Sequence, residues 1–150
     1  MQTMTGKISR LNKGSRVSAV ENHLQTTYHA SFLINGRQIL IELHQPILIE
    51  EGEMVAIAGQ DKNGAFKALA YRNLDTKVSA CGPYSLYLGM GVALIIAGAA
   101  FLYGLLTGFK MHNLMVELSV VPSIFIMVGG YLIFKGLKIK NALSYLRTFT

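Results

Sequence analysis

Residues 84–106 read YSLYLGMGVALIIAGAAFLYGLL, and this stretch decides the architecture because it contains no charged side chain. As a helix its 23 residues would rise about 34 Å, enough to cross a hydrocarbon core roughly 30 Å thick. Pro83 precedes it, at a helix start where a missing backbone N–H is harmless. The sequence therefore predicts a transmembrane helix over 84–106.

A second apolar stretch lies at 114–134, after a connection of only seven residues. It includes Glu117 near its start and Pro122 in its early turns, and a membrane helix tolerates such a proline when neighbours satisfy the freed backbone groups. A buried soluble helix is the alternative, but 84–134 would offer water almost no polar face. We predict a transmembrane hairpin over 79–135, with spans at about 84–106 and 114–134.

Charge is divided unevenly between the two halves of the chain. Only 15% of residues are charged, against roughly 25% in soluble domains. Residues 1–80 hold nine Lys/Arg and seven Asp/Glu, whereas 81–150 hold five and one, within a net charge of +6. Lysines and one arginine follow the second span, so the positive-inside rule predicts both termini in the cytoplasm. With no apolar signal segment at the N-terminus, we expect a multi-pass protein of the bacterial inner membrane.

Residues 1–78 are predicted to form a soluble β-domain. Alternating apolar residues indicate strands at 27–34 and 37–43, joined by the two-residue turn Asn35-Gly36. Further strands are predicted at 54–58 and 65–71, and one long or broken strand within 5–20. Five strands in so short a segment favour a small closed barrel, because closure removes unprotected edges.

The long first strand, the hairpin at Asn35-Gly36 and the stretch EGEMVAIAG at 51–59 resemble an OB-fold. The predicted fold class is therefore an all-β, small OB-like barrel followed by a two-helix transmembrane hairpin and a basic cytoplasmic tail at 136–150. This arrangement is similar in parts to NfeD-type bacterial membrane proteins, in which the barrel usually follows the helices rather than preceding them. The resemblance implies a non-enzymatic module that works with membrane scaffold proteins of the stomatin and flotillin type.

Small residues in the two apolar stretches are candidates for helix packing, because lipid supplies no hydrophobic drive between helices. They pack either within the hairpin or between copies of the chain, and Gly104→Leu is predicted to disturb that packing. The candidates are Ala93, Ala97, Ala100, Gly104, Gly108, Gly129 and Gly130.

Charged residues suggest two further sites. Glu117 is a candidate intramembrane charge, although an interfacial position, in which it reaches lipid headgroups or pairs with Lys110, is favoured. The basic start could line a groove for nucleic acid, but contact with anionic lipid or plain solvation is favoured. Its residues are Lys7, Arg10, Lys13 and Arg16.

No catalytic, metal or cofactor motif is present in the sequence. The four histidines lack metal-ligand spacing, although His29 and His44 could approach each other if their strands pair. The single cysteine, Cys81, has no companion that would make it a nucleophile. The tail can continue as a helix with Ile139, Ala142, Leu143, Leu146 and Phe149 on one side, a weak amphipathic pattern fit for a membrane surface or a partner.

Three functions are compatible with these patterns. The favoured one is a non-enzymatic membrane adaptor or assembly protein whose cytoplasmic barrel binds a protein partner, such as a membrane scaffold or a second copy. The second is a small oligomeric channel or transport component that uses Glu117. The third is a membrane-tethered nucleic-acid-binding domain. Membrane lipid is an expected partner, nucleic acid is disfavoured, and no cofactor is expected.

Overall fold

The computed structural model describes residues 1–20, 23–62, 64–108 and 120–148. Within these ranges a β-sheet is followed by two long helices. The strands are β1 (Gln2–Lys7), β2 (Ser9–Val20), β3 (His23–Ile34), β4 (Arg37–Leu43), β5 (Met54–Lys62), β6 (Ala65–Asn73) and β7 (Ser79–Cys81). The helices are α1 (Tyr84–Gly108) and α2 (Val120–Arg147).

The strands form one sheet in the order β1-β5-β6-β4-β3-β2, with β7 added beside β6. All pairs are antiparallel except β4 with β6, which run parallel. Strands β1 and β2 occupy the two ends of this path although only Ile8 separates them in the chain. No ladder among the described residues joins them, so the sheet is open and the predicted closed barrel is corrected on this point.

A bend at Ile8–Asn12 sends β1 and β2 to opposite ends of the sheet. The backbone of Ile8 extends the β1–β5 pairing, donating to the carbonyl of Glu53 at 2.9 Å and accepting from the N–H of Gly52 at 3.0 Å. Arg10 then adopts φ 53°, and the register shifts between Ser9 and Asn12. This left-handed residue redirects the chain, so the strand predicted as long or broken is broken.

The core lies on one face of the sheet, called here the inner face. The predicted alternation is confirmed, because Ala30, Phe32 and Ile34 are buried there. Asn35 and Gly36 both have positive φ, 52° and 78°, as a type I′ hairpin turn requires. The largest buried side chains of this core are Ile8, Phe32, Ile34, Ile39, Ile41, Leu43, Ile49, Val55, Ile57, Phe66 and Tyr71.

Asn73, at the end of β6, is a fully buried polar side chain. Its Oδ1 accepts hydrogen bonds from the backbone N–H groups of Asp75 and Thr76, at 3.0 and 3.2 Å. Its Nδ2 donates to Glu53 Oε2 at 2.7 Å. The side chain is therefore satisfied in the way that buried polar groups require, and it fixes the turn that leads towards β7.

The C-terminal part of α2 belongs to the β-domain. Two compact units are present: Met1–Gly82 together with Ile139–Thr150, and Pro83–Lys138. Ala142 and Leu146, both fully buried, pack on the outer face of β5 and β6 against three alanines: Ala56, Ala58 and Ala70. The predicted amphipathic side of the tail is confirmed for these two residues, and the surface that it covers is the sheet of its own chain.

The second unit is a pair of helices that are each long and apolar enough to cross a membrane. α1 ends two residues beyond the predicted span. α2 begins at Val120 and continues past 134, where the second span was predicted to end. Residues 114–119 of that predicted span lie outside the described residues.

Glycines bring α1 and α2 together. A Cβ built on Gly98 would lie 3.0 Å from the carbonyl oxygen of Pro122, and one on Gly136 would lie 3.1 Å from that of Tyr84. Gly91 and Gly129 are equally close-packed. The four glycines recur at intervals of seven residues within each helix, about two helical turns, so each falls on the contacting side.

Candidate functional site

A groove of about 430 Å³, lined by charged, polar and apolar residues, lies on the outer face of the sheet, opposite the core. Strand pairing builds it in rows. His29 stands between Gly14 of β2 and Glu42 of β4, and Arg16 pairs with Thr27 in the next row of the β2–β3 ladder. The whole lining is Arg16, Thr27, His29, Ala30, Ser31, Leu40, Ile41, Glu42 and Lys67.

The parallel pairing of β4 with β6 completes the groove. It places Lys67 beside Leu40, which in turn pairs with Ser31 of β3. These residues alternate along their strands with the buried Phe32, Ile39 and Ile41, so the period of two that fills the core also lines the groove. Four strands therefore line the groove: the consecutive β2, β3 and β4, and β6 from a more distant part of the sequence.

Gly14 leaves the space that the side chain of His29 occupies in the groove. A Cβ built on Gly14 would lie 2.3 Å from His29 Nε2 and 2.6 Å from its Cε1. Any other residue at this position would displace the imidazole ring. The absence of a side chain on β2 thus lets the His29 ring lie across the neighbouring strand.

One carboxylate and three basic side chains set the charge of the groove. Lys67 Nζ donates to Glu42 Oε2 at 2.5 Å. This hydrogen bond and the charge of Lys67 lower the pKa of Glu42 below 4.5, and His29 and Arg16 contribute further lowering against the opposing effect of burial. Glu42 is therefore a carboxylate at neutral pH, and the groove keeps an excess of positive charge.

The groove is partly open to solvent. Its side chains offer charge and hydrogen-bond donors, and the side chains of Glu42 and Lys67 are 56% and 40% exposed to solvent. Within the described ranges, no group of three His, Cys, Asp or Glu side chains could hold a metal ion.

The structure does not gather the predicted basic residues on one surface. Arg16 lines the groove, whereas Lys13 pairs with the buried Ala30 and so belongs to the inner-face row of β2. Arg10 lies at the bend, where its N–H donates to Glu51 Oε1 at 3.1 Å. Lys7 lies in β1, at the opposite end of the sheet path from β2.

The aromatic side chains of the β-domain that a nucleic-acid site would need for base stacking lie in the core. Phe32, Phe66 and Tyr71 are each at most 2% exposed, and Tyr28 packs partly buried against the same cluster. Their rings are therefore not available to a ligand on the surface. The OH of Tyr71 accepts a hydrogen bond from the N–H of Leu48 at 2.8 Å, and burial raises the pKa of this phenol.

The other reactive candidates lie apart. His29 stands opposite Glu42, whereas His44 Nδ1 lies 3.4 Å from Gln25 Nε2. Cys81 is half-buried in β7, and burial raises the pKa of its thiol. A raised thiol pKa lowers the thiolate fraction and makes this cysteine a poor nucleophile at neutral pH.

Of the predicted helix-packing residues, Gly129 lies in the contact between α1 and α2. A Cβ on Gly104 or Gly130 would meet nothing within 4 Å, so neither makes a close contact with the other helix among the described residues. Three alanines of α1 are exposed as well: Ala93, Ala97 and Ala100. The expectation that Gly104→Leu disturbs packing, within the hairpin or between copies, stays a prediction.

Some predicted residues cannot be placed. Glu117, Lys110 and Phe149 lie outside the described residues, as do the surroundings of Gly108 at the end of α1. The channel hypothesis that depends on Glu117 therefore stays a prediction.

The residues that sequence reasoning missed are His29, Glu42 and Lys67 as a set, and Gly91, Gly98 and Gly136. Alternation along 27–34 does place His29 on the face opposite the core, which is a usable signal. The register that brings Glu42 and Lys67 beside it depends on long-range pairing.

Comparison with known proteins adds no relative to this picture. The open sheet, its outer groove and the glycine-packed helices therefore carry the functional argument by their own chemistry. No protein-family model matches the chain, and neither a curated protein nor a solved structure matches it.

Proposed function

We propose that the chain is an integral membrane adaptor whose β-domain binds a protein partner through the outer groove. The observation that carries this proposal is the groove itself, a partly open cleft of about 430 Å³ on the face of the sheet opposite the apolar core. It presents charged groups and hydrogen-bond donors beside apolar side chains and is less enclosed than the cavities that bury most of a small molecule.

Membrane anchoring is the second part of the proposal. Both helices are long and apolar enough to span, and the glycine contacts between them suit a lipid environment, where close approach of backbones stabilises helix pairs. Because residues 139–147 pack on the β-domain, two spans would put both termini on one side. Lys135, Lys138 and Lys140 favour the cytoplasmic side of a bacterial inner membrane.

An OB-like arrangement of the β-domain belongs to the same proposal. If β1 and β2 are counted as one bent strand, this strand with β3, β4, β5 and β6 gives the five strands of a partly open OB-type barrel. In support, one bent segment supplies both ends of the sheet path, and β4 pairs parallel with β6. The similarity to NfeD-type proteins then suggests a membrane scaffold protein as partner.

Site-specific photo-crosslinking in cells tests the adaptor role. A photoreactive residue at Leu40, in the groove, should give a discrete adduct with a second protein, identified by mass spectrometry. The same residue at Thr76, exposed in the turn after β6, is the matched control. Ser31→Trp should fill the groove and suppress the Leu40 adduct. Equal crosslinking from both positions, or an adduct indifferent to Ser31→Trp, would contradict the proposal.

A further inference from the structure

We propose that the groove recognises a carboxylate side chain on an acidic segment of the protein partner, with Arg16 as the anchoring residue. This inference rests on the proposed adaptor function and adds the chemistry of its partner.

The distribution of charge points to an anionic group. Lys67 is matched by Glu42 through their hydrogen bond. Arg16, in the same groove, has no acidic side chain within salt-bridge distance among the described residues. The guanidinium of Arg16 is therefore a positive charge without a salt-bridge partner in the groove. An arginine can hold a carboxylate through two parallel N–H···O bonds.

The other residues of the groove favour a singly charged carboxylate over a dianionic phosphate. Glu42 lies one row from Arg16, across β3. It would repel a dianionic phosphate more strongly than a single carboxylate. Hydroxyl groups of Thr27 and Ser31 lie in the same groove and can donate to a carboxylate oxygen.

A protein segment fits this surface better than a lipid headgroup. Leu40 is 38% exposed and lies in the lining beside the polar groups. An apolar contact beside an arginine is the combination found where protein interfaces concentrate their binding energy. A headgroup would leave Leu40 facing water, whereas a neighbouring apolar side chain of a peptide would cover it.

The test uses the full chain in neutral detergent micelles and a short fluorescent peptide in which glutamate alternates with alanine. Fluorescence anisotropy should show binding that weakens with added salt. Replacing every glutamate with glutamine, or introducing Arg16→Glu, should each weaken binding about tenfold or more, as expected for loss of a charged hydrogen bond. Glu42→Gln should strengthen binding, because it frees Lys67.

Lys13→Glu is the matched control, since it makes the same change of charge on the same strand, three residues away and in the inner-face row. It should leave peptide affinity close to that of the wild type. Circular dichroism of all variants checks that the β-domain remains folded.

Several outcomes would overturn the inference. They are equal affinity for the glutamate and glutamine peptides, equal weakening by Lys13→Glu and Arg16→Glu, or Arg16-dependent binding of phosphatidylglycerol vesicles in preference to the peptide. If the Leu40 crosslink persists while the acidic preference fails, the adaptor role stands without this partner chemistry. If the acidic peptide binds but no Leu40 adduct forms in cells, the adaptor role fails instead.

Discussion

Gly91 of α1 and Gly129 of α2 pack backbone against backbone. A Cβ on Gly91 would lie 2.8 Å from the carbonyl oxygen of Gly129, and a Cβ on Gly129 would lie 2.7 Å from that of Gly91. Neither position can accept a side chain without moving a helix. In a membrane, where lipid does not drive apolar helices together, this close approach would be a principal means of holding the pair.

Gly129→Ala should therefore destabilise the helix pair by about 1–3 kcal/mol, the usual effect of added bulk in a packed interior. Gly130→Ala is the matched control, because a Cβ there meets nothing within 4 Å. The measurement is the thermal loss of helical ellipticity in detergent. Equal effects of the two substitutions would argue against the contact between Gly91 and Gly129.

Leu146→Ala should destabilise the β-domain by about 2–4 kcal/mol, because it removes a fully buried side chain from the outer face of the sheet. Tyr145→Ala, next in sequence but 58% exposed, should cost far less. Hydrogen exchange of the β5 and β6 amides measures the difference. Unchanged protection in Leu146→Ala would mean that the tail does not cover these strands.

Membrane topology makes a separate prediction. Reporter fusions after Thr150 and within the β-domain should report the same side, because Leu146 and its neighbours pack on that domain. The positive-inside rule predicts that this side is the cytoplasm. A fusion at His112, between the two helices, should report the opposite side. A cytoplasmic signal at His112 would break the two-span arrangement.

Acid should weaken the β-domain partly through Glu42. The pKa of this carboxyl is lowered in the folded state, so its stabilising contribution is present above the ordinary value of 4.5 and is lost as the pH falls through the lowered one. Both partners are exposed, so the contribution should stay under about 1 kcal/mol. Thermal unfolding from pH 7 downward should show a smaller acid loss in Glu42→Gln. An identical acid loss in both proteins would rule out this role.

Gly14 and His29 should be energetically coupled. Gly14→Ala places a methyl group against the exposed His29 ring, so the ring must turn to another rotamer at a cost of about 0.5–1 kcal/mol. In a His29→Ala background the same substitution should be nearly neutral. A double-mutant cycle on thermal stability measures the coupling, and additive effects would show that the ring does not lie over Gly14.

The features of the fold that could be predicted from the sequence are mostly local ones, such as turns and the alternation along single strands. Asn35-Gly36 dictates its turn through positive φ, and the alternation of Phe32 and Ile34 identifies the inner face without knowledge of the partner strand. The parallel pairing of β4 with β6 was not accessible in this way, because it joins Leu40 to Lys67 across a long loop. The groove depends on that register. The sequence therefore indicates that single residues of the groove face outward, but not that they lie next to one another.

The contacts between α1 and α2 follow a different spacing from the one used to select candidates. A spacing of four residues selected two series in α1, Ala93 with Ala97 and Ala100 with Gly104, and these four residues are exposed. The contact instead uses glycines seven residues apart, Gly91 with Gly98 and Gly129 with Gly136, so that every second turn meets the partner.

The tail that covers β5 and β6 is also the last part of the β-domain to be synthesised. Chains emerge from the ribosome N-terminus first, so Ala142 and Leu146 follow both apolar helices. Throughout that interval Ala56, Ala58 and Ala70 lack the part of their cover that Ala142 and Leu146 provide. A nascent chain interrupted within α2 would keep this apolar surface open to chaperones and proteases. The β-domain can therefore be completed only after both helices have been translated.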